Sequence, residues 1–469
     1  MKHLFLIRHG KSSWSDAALE DWERPLNKRG QRQLGLMAGA LRRIGAFNGV
    51  IYASNAMRAR QTIEGMIASL NDDRLPPRVH FKSRLYTFSA DTLWKWLLKR
   101  DEDRVTLVGH NPALEELANR LLRKPVDALP TGSGVHILLP IQHWSELEPD
   151  TGALGEHLKP GWVSYHEFQR KQPGDPGKKQ GGSALRGMAL SLQHLMTRLQ
   201  ALEPGAALGF DPEFLHQYRI SIRKVRAVLE TLYALSGDKA LKPSVKRLKR
   251  HARATSNLRD LDVFMDTLAD WERDPDYRDA LADTGALAAF RERQQAAQTG
   301  FAGHIQARVY LDDMENLREF MHSATLEKTL KQQNKHLIRE ALDARIADHN
   351  ARLVALSDLS ADEDFHRLRK NLKRIRYLAD LDRALPSDFR KDLKQRQSIL
   401  GEFQDRHVQE TFMQAYQRDS DPDGRLTPLI QRLTGQKQAA RQHILTLAPI
   451  DPPEPVTRAR KTRPAPEGA

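Results

Sequence analysis

The 469-residue sequence contains no cysteine, and no apolar run approaches the ~20 residues that a bilayer-spanning helix needs. The absence of cysteine excludes disulfides, thiolate zinc sites and the cysteine-phosphatase mechanism. The amino terminus reaches the charges of Lys2 and Arg8 too early for a secretory signal, and no small-residue cleavage site follows. We therefore expect a cytoplasmic protein without a membrane segment.

Positive charge exceeds negative charge, but the excess is spread along the chain. The net charge of +14 divides into +7 over residues 1–180 and +6 over residues 181–450. A polyanion site must therefore depend on local clustering of cations. The length predicts two or three domains, each able to bury its own core.

Residues 1–168 alternate short β-rich runs with helical stretches, which predicts an α/β three-layer sandwich with a largely parallel sheet. The predicted strands are His3–Arg8, Val50–Ser54, Val79–Lys82, Val105–His110, Val135–Ile141 and Trp162–His166. The predicted helices cover residues 28–44, 56–70, 90–99 and 112–122.

The rest of the chain has a different composition and period. Residues 169–184 are rich in Pro and Gly and are interpreted as a linker. Residues 185–448 show apolar residues at helical spacing, which predicts an all-α helical bundle. Residues 449–469 are rich in Pro, Arg and Lys, so we predict a disordered basic tail.

Arginine and histidine side chains recur at the ends of predicted strands in residues 1–168. The first strand ends in Arg8 and His9, His110 ends another strand, and Arg58 follows the second strand. Carboxyl ends of parallel strands meet at one edge of a sheet, so these groups are expected to converge. Two guanidinium groups and two imidazoles can surround a phosphoryl group and neutralise its charge.

Four blocks, residues 6–14, 24–30, 54–62 and 108–111, resemble the histidine phosphatase superfamily in that order. The similarity is greatest to the SixA-type phosphohistidine phosphatases. This resemblance implies that His9 is the nucleophile that becomes phosphorylated. It implies further phosphoryl contacts from the remaining candidate site residues, which are Arg8, Arg58, His110, Arg24, Gly10 and Asn111. Imidazole attack requires an unprotonated nitrogen, with the other nitrogen held by a hydrogen bond.

One segment departs from the pattern of superfamily members that cleave phosphate esters. Residues 81–91 contain no Glu, Thr87 stands where many similar chains have Glu, and Asp91 is predicted to be a helix N-cap. Without a general acid, substrates whose leaving groups depart easily are favoured. Phosphohistidine proteins are therefore the first expectation for the substrate, and phosphoanhydrides such as polyphosphate are the alternative.

The helical region contains an internal repeat. Residues 216–226 align with residues 366–376 at a constant offset of 150, and both copies keep a His followed by Arg and Lys. Positions i, i+3, i+7 and i+10 lie on one stripe of a helix, so each copy presents one basic stripe. A second repeat, residues 248–263 and 393–408, follows at offset 145. A pseudo-twofold arrangement is expected to bring the two stripes face to face.

This repeated pattern resembles the CHAD domain, a conserved histidine α-helical domain. The resemblance implies a basic cavity that binds inorganic polyphosphate, with Asp260 and Asp405 orienting the cations. Closely spaced Arg and Lys suit such a polyanion, which offers no bases to read. The candidate polyphosphate-binding residues are His216, Arg219, Arg223, Lys224, Arg226, Lys249, Arg259, His366, Arg369, Lys370, Lys373, Arg374, Arg376 and Lys394.

The sequence predicts a phosphohistidine phosphatase tethered to polyphosphate, possessing neither cofactor nor metal ion. Two alternatives stay open: a phosphatase that acts on polyphosphate itself, and a non-enzymatic polyphosphate-granule binder. Association with such granules is the accompanying expectation for location. A specific nucleic-acid site is not expected, because the basic helices show little aromatic interleaving.

Overall fold

The computed structural model describes residues 1–178, 184–332, 335–380 and 385–453. Within them the chain forms two compact units: Met1–Gln172 with Pro204–Phe214, and Pro173–Glu203 with the chain from Leu215 onward. Part of the predicted linker, residues 179–183, and most of the predicted disordered tail, residues 454–469, lie outside the described residues.

The first unit is built on a six-stranded mixed sheet. Its strands are β1 (Lys2–Arg8), β2 (Val50–Ser54), β3 (Val79–Lys82), β4 (Arg104–Gly109), β5 (Gly134–Leu139) and β6 (Ala153–Leu158). Their order is β3-β2-β4-β1-β5-β6. Strands β1 to β4 run parallel to one another, whereas β5 and β6 are antiparallel to their neighbours.

Helices cover both faces of this sheet, which confirms the predicted three-layer α/β architecture. On one face, α1 (Lys28–Arg43) and α2 (Met57–Leu70) pack on the side chains of Phe5 and Ile7. The opposite face, with Leu4 and Leu6, carries α3 (Ala90–Leu97) and α4 (Ala113–Leu121). Because both faces of β1 are buried, its sequence is a continuous apolar run rather than an alternating one.

The predicted strand over Trp162–His166 is wrong. This segment lies in two short helices, α5 (Pro160–Val163) and α6 (Tyr165–Gln169). Pro160 occupies the first turn of α5, where its fixed φ favours a helix start, and this signal outweighs the β-rich composition of the segment. The sixth strand is instead β6, an edge strand whose first residues are exposed and whose composition therefore carries little strand signal.

The second unit is an all-α bundle, as predicted. The helices beyond α6 are α7 (Ala184–Leu208), α8 (Glu213–Ser236), α9 (Leu241–Ala254), α10 (Ser256–Arg273), α11 (Pro275–Thr284), α12 (Ala286–Gln306), α13 (Arg308–Met321), α14 (Ala324–Gln332), α15 (Lys335–Val354), α16 (Asp362–Ala379), α17 (Ser387–Ser420) and α18 (Thr427–Leu445). The segment 204–214 belongs to the first unit, where the Phe214 ring contacts Tyr165 and Phe168.

The two repeated segments lie on α8 and α16 and have matching burial patterns. In α8 the apolar residues beside the basic stripe, such as Ile222 and Val225, are fully buried. Leu372 and Ile375 occupy the corresponding positions of α16 and are also fully buried. Each helix therefore anchors an apolar face in the bundle and leaves its His and cations on another face. In the described ranges, no helix has a long enough apolar stretch to cross a bilayer.

Candidate active site and basic cluster

Strand pairing brings the His9 and His110 imidazoles together. Strand β1 pairs in parallel with β4, and Arg8 lies opposite Gly109, the residue before His110. The backbone N–H of His9 donates to the Gly109 carbonyl at 3.1 Å, which extends this pairing into the loop that begins at His9. The two imidazole centroids are 5.0 Å apart. The parallel register therefore places two buried imidazoles at one edge of the sheet.

Two hydrogen bonds define the tautomer of His9. Its Nδ1 lies 2.7 Å from the Gly10 carbonyl, which can only accept, so Nδ1 carries the proton. The Nε of Arg58 donates to His9 Nε2 at 3.2 Å, so Nε2 is unprotonated and its lone pair accepts this hydrogen bond. His9 is thus held as a neutral imidazole whose nucleophilic nitrogen faces a guanidinium group.

Both imidazoles resist protonation. Burial and the Arg58 and Arg8 cations lower the pKa of His9 to about 4, although the Gly10 carbonyl opposes this shift. Burial, followed by the effects of His9 and Arg58, lowers the pKa of His110 to about 3. Both side chains are therefore neutral at physiological pH, as a nucleophilic imidazole must be.

Arg58 is surrounded by acceptors. Its Nη2 donates to Asp21 Oδ2 at 2.8 Å, and its Nη1 donates to the Asp21 backbone carbonyl. The Tyr86 hydroxyl donates to the same Oδ2 atom at 2.8 Å. Partial burial acts to raise the pKa of Asp21, but the Tyr86 and Arg58 hydrogen bonds bring it below its usual range. Asp21 is consequently a carboxylate, unable to donate a proton at neutral pH.

His110 is held by one hydrogen bond and by aromatic rings. Its Nε2 lies 2.8 Å from Ser54 Oγ, whereas its buried Nδ1 has no hydrogen-bond partner. The rings of Tyr86 and Phe88 lie 5.3 and 5.7 Å from its centroid. The unpartnered Nδ1 can donate or accept a hydrogen bond, so it is available to a phosphoryl oxygen.

The remaining predicted residues support this site from neighbouring loops. Arg8 Nη1 donates to the Leu129 carbonyl at 2.7 Å, and its buried Nε has no partner. Asn111 donates to Leu129 and to Glu115, whereas its carbonyl oxygen has no partner. The N–H of Gly10 is occupied by Thr62 Oγ1 at 2.9 Å. Gly10 therefore acts on His9 through its carbonyl rather than through its N–H.

Arg24 lies at the outer side of the site. Its guanidinium group packs over the Trp14 ring at 3.8 Å, and its Nη1 lies 3.7 Å from Asp21 Oδ1. Arg24 thus reaches the same carboxylate as Arg58.

The helical unit contains a second collection of cations, contributed by both repeats. Cations of α8 and α16 affect one another's pKa values in addition to the effect of burial. The charge of Arg369 on α16 lowers the pKa of Arg219 on α8, and the charge of Arg223 on α8 lowers the pKa of Arg369 and Lys373 on α16. Burial and three surrounding arginine side chains lower the pKa of Lys373 to about 6. We call these four residues the basic cluster. The structure therefore brings the central cations of the two stripes within electrostatic range of each other.

Two carboxyl groups accompany the basic cluster: Asp260 is half-buried and Asp405 is exposed. Desolvation of the carboxyl group raises the pKa of both, against the opposing effect of neighbouring arginines. Arg219 is also held by a hydroxyl group, because its Nη1 donates to Thr255 Oγ1 at 2.5 Å. The two acids partly neutralise the cluster without matching all its positive charge.

The other predicted polyphosphate ligands are more dispersed. Arg226 pairs with Glu230 at 3.3 Å, Arg376 donates to Gln397 at 2.6 Å, and His366 contacts Gln404. Arg219, Arg223 and Arg226 line a small pocket, whereas Lys224 lines a different cavity of the same unit. His216 and Arg259 are half-buried, and the exposed residues of the set are Lys249, Lys370, Arg374 and Lys394.

Two family models match the chain. The model described as Histidine phosphatase superfamily (branch 1) matches residues 4–85, and the CHAD domain model matches residues 191–414. The chain belongs to the histidine phosphatase superfamily and carries a CHAD domain.

Relatives match about a quarter to a third of the chain. An uncharacterized chloroplastic protein of Arabidopsis thaliana is 33% identical over 129 residues, 26% of this chain and 59% of the relative. An uncharacterized protein of Mycobacterium tuberculosis is 31% identical over 165 residues, 32% of this chain and 99% of the relative. The chain thus spans less than two thirds of the first relative and nearly all of the second.

Solved structures resemble each half separately. A putative phosphohistidine phosphatase SixA of Agrobacterium tumefaciens is 22% identical, covering 34% of this chain and 98% of that chain, with a TM-score of 0.29. The CHAD domain of Ricinus communis is 22% identical, covering 58% of this chain and 94% of that chain, with a TM-score of 0.46.

In the histidine phosphatase domain, sequence reasoning missed Asp21, Tyr86 and Ser54. Ser54 ends β2, so the strand-end signal that identified His9 and His110 could have found it too. Asp21 begins a single-turn 3-10 helix and Tyr86 follows another, and such short segments carry no periodic signal, so only the fold brings the two residues together.

The N-cap predicted at Asp91 is wrong. Ser89 caps α3 by accepting from the Thr92 N–H at 3.4 Å, and Asp91 lies in the first turn, paired with Arg120. Ser89 accepts a hydrogen bond from the N–H of the third residue after it, which is the common geometry of an N-cap.

Proposed function

We propose that this histidine phosphatase hydrolyses phosphohistidine through a phosphorylated His9, and that the CHAD domain tethers it to inorganic polyphosphate. The observation that carries the catalytic part is the state of His9. Its Nδ1 proton is held by the Gly10 carbonyl, and its Nε2 lone pair faces Arg58. This arrangement supports attack on a phosphorus atom that the neighbouring guanidinium groups would hold.

The reaction takes two steps. The Nε2 of His9 bonds to phosphorus while the P–N bond of the substrate phosphohistidine breaks, and the leaving imidazole takes up a proton from water. A water oxygen then bonds to phosphorus and the bond between His9 and phosphorus breaks. The proton that this water loses neutralises the hydroxide left by the first step, and inorganic phosphate leaves. Arg8 and Arg58 would balance the charge of the phosphoryl group in both steps.

The acid–base state of the site supports a substrate with an easily expelled leaving group. Arg58 and Tyr86 hold Asp21 as a carboxylate, so Asp21 has no proton to donate to a leaving alkoxide. His110 is neutral at physiological pH. A phosphoramidate needs less acid catalysis than an alkyl phosphate, because imidazole departs more readily than an alkoxide.

The basic cluster supports the polyphosphate tether. Its cations come from two repeats, and burial together with surrounding cations lowers the pKa of Lys373. Such mutual repulsion disfavours the empty state and is relieved by a polyanion that contacts several cations at once. A linear polyphosphate offers closely spaced charges without a sequence, which suits a cluster made of Arg and Lys side chains.

The catalytic proposal is tested by phosphate release from three substrates: a phosphohistidine protein, long-chain polyphosphate and a simple alkyl phosphate. We expect the phosphohistidine protein to be the best substrate, with release abolished in His9→Ala. Release from polyphosphate alone would replace the first proposal by the phosphoanhydride reaction. Comparable turnover of the alkyl phosphate would contradict the leaving-group argument.

The tether is tested by polyphosphate binding to the full chain as a function of salt. In the double variant Arg223→Ala/Lys373→Ala we expect affinity to fall about 10- to 100-fold, with a shallower salt dependence. The matched control, Arg318→Ala/Lys331→Ala, removes two exposed cations that pair within their own helices. Unchanged affinity in the first double variant would contradict the tether.

A further inference from the structure

Asp21 occupies the groups of Arg58 that a phosphoryl oxygen would need. Of the three guanidinium nitrogens, Nε donates to His9, whereas Nη1 and Nη2 donate to the backbone and side chain of Asp21. Each Nη keeps a second N–H, but a phosphoryl group that is bound by the same pair of Nη donors competes with Asp21 for them. Carboxylate and phosphoryl oxygens compete for the same fork of donors.

The charge of Asp21 strengthens this competition. Its side chain is a carboxylate, and it acts electrostatically on both His9 and His110. A phosphoryl dianion beside the same imidazoles would be repelled by that carboxylate. Coulomb repulsion between charges a few ångströms apart is large enough to affect binding even in a partly solvated site.

The segment that carries Asp21 is built so that it can leave the site. It is closed at its base, where Ser13 N–H donates to the Pro25 carbonyl at 2.8 Å and Asn27 N–H donates to Lys11 at 2.9 Å. Between these ends, no residue from 13 to 25 is buried. Moving it outward would therefore remove little apolar surface from the core.

Tyr86 holds Asp21 in place. Its hydroxyl donates to the carboxylate, while its ring packs edge-on against His110. Tyr86 thus joins the Asp21 segment to the opposite wall of the site. A phosphoryl group that takes Arg58 would also release this hydroxyl.

We propose that Asp21 is an internal anion that occupies Arg58 in the free enzyme and is displaced by the phosphoryl group of the substrate. This inference rests on the proposed phosphatase activity of His9. Asp21 then weakens the binding of substrate and of the product phosphate, and it speeds product release by returning to Arg58. It is a specificity-determining residue that opposes weakly held anions, not a catalytic residue.

The alternative role of Asp21 is to orient Arg58 for phosphoryl binding, and the two roles predict effects of opposite sign. If Asp21 competes, Asp21→Asn lowers both the KM for a small phosphoramidate and the inhibition constant of inorganic phosphate. We expect both to fall about 5- to 20-fold, because a half-exposed ion pair is exchanged for a neutral hydrogen bond. If Asp21 only orients Arg58, both constants rise.

Two further variants sharpen the test. Tyr86→Phe keeps the ring beside His110 but removes the hydroxyl that holds Asp21, so both constants should fall by about 2- to 4-fold. Asp16→Asn removes the same charge from the same loop, at an exposed residue that contacts the Ala18 N–H rather than Arg58. We expect it to leave both constants within about 1.5-fold of wild type, since exposed charges are screened.

Calorimetric titration of inorganic phosphate repeats the comparison without turnover. The CHAD domain contributes the same background to every variant, so the difference between wild type and Asp21→Asn reports the His9 site. A wild-type chain that shows no His9-dependent phosphate release contradicts the proposed function, and the sign of the Asp21→Asn effect on phosphate affinity still decides the inference. Weaker or unchanged phosphate binding in Asp21→Asn overturns it.

Discussion

The proton on His9 is placed by its two neighbours rather than by the solvent. The Gly10 carbonyl can only accept a hydrogen bond and the Arg58 guanidinium group can only donate one, so the two partners permit a single tautomer. Burial then keeps that tautomer neutral far below the ordinary pKa of histidine. The nucleophile is therefore prepared before a substrate arrives, which reduces the reorganisation that attack requires.

In the second unit, the pKa of Lys373 responds to the positive charges that surround it. This half-buried side chain lies near three arginines, and desolvation together with their charges lowers its pKa to about 6, with Asp405 opposing the shift. At neutral pH this lysine is largely uncharged in the free protein. Arginine cannot respond in this way, because its guanidinium group stays protonated.

We predict that polyphosphate binding charges Lys373 and therefore takes up protons near pH 7. The bound polyanion raises the pKa of Lys373, so affinity should fall by about tenfold as pH rises from 6 to 8. Calorimetry in buffers of different ionisation enthalpy measures both the affinity and the proton uptake.

The variant Lys373→Arg keeps its charge at every pH and serves as the comparison. It should take up fewer protons than wild type and bind more tightly at pH 8. Equal proton uptake in the two proteins would show that other groups account for the pH dependence.

Among the secondary-structure elements, most strands of the phosphatase sheet were predicted from the spacing of hydrophobic residues along the chain. The predicted strands at Val50–Ser54 and Val79–Lys82 agree with β2 and β3. Strand β2 is a short, mostly buried apolar run, whereas β3 alternates between half-buried and exposed residues as an edge strand does. The error fell at the other edge of the sheet. There, β6 is stabilised by pairing with β5 rather than by its own composition, and sequence alone does not contain that long-range information.

The same reasoning explains which site residues could be predicted. His9 and His110 end neighbouring parallel strands, and strand order alone brings such residues together. Asp21 and Tyr86 are 65 positions apart in short segments, and their hydrogen bond depends on how those two segments pack. No local pattern encodes that contact. Likewise, the repeat identified the two basic stripes, but only the fold of the helical unit separates the basic cluster from exposed cations such as Lys249.

The first turn of α1 lies close to the loop that begins at His9, and the residue of α1 at the point of contact is a glycine. A Cβ at Gly30 would lie 2.5 Å from the Lys11 carbonyl oxygen, so alanine there must displace the backbone beside Gly10. We predict that Gly30→Ala lowers kcat/KM at least tenfold and destabilises the fold by about 1–3 kcal/mol. Urea unfolding and steady-state kinetics measure the two effects.

Gly39 in the same helix provides the matched control. A Cβ there meets nothing within 4 Å, so Gly39→Ala should raise stability by about 0.5–1 kcal/mol through helix propensity and leave activity unchanged. Equal responses of the two variants would contradict the close approach of α1 to the loop that begins at His9.

Considered as a whole, the molecule has the two proposed phosphate sites in one chain, with little difference in bulk charge between its halves. The net charges of +7 and +6 are nearly equal over residues 1–180 and 181–450. What distinguishes the sites is arrangement, since one uses a few buried groups at strand ends and the other uses cations from a duplicated helix. The absence of cysteine agrees with a phosphatase whose nucleophile is an imidazole.

The central claim is that His9 carries the phosphoryl group during turnover. Rapid acid-free quenching of the full chain with labelled phosphoramidate, followed by peptide mapping, tests it most directly. We predict a base-stable, acid-labile label on the peptide that contains His9, formed at the rate of turnover and absent from His9→Ala. Turnover without label on that peptide, or label that persists in His9→Ala, would contradict the account.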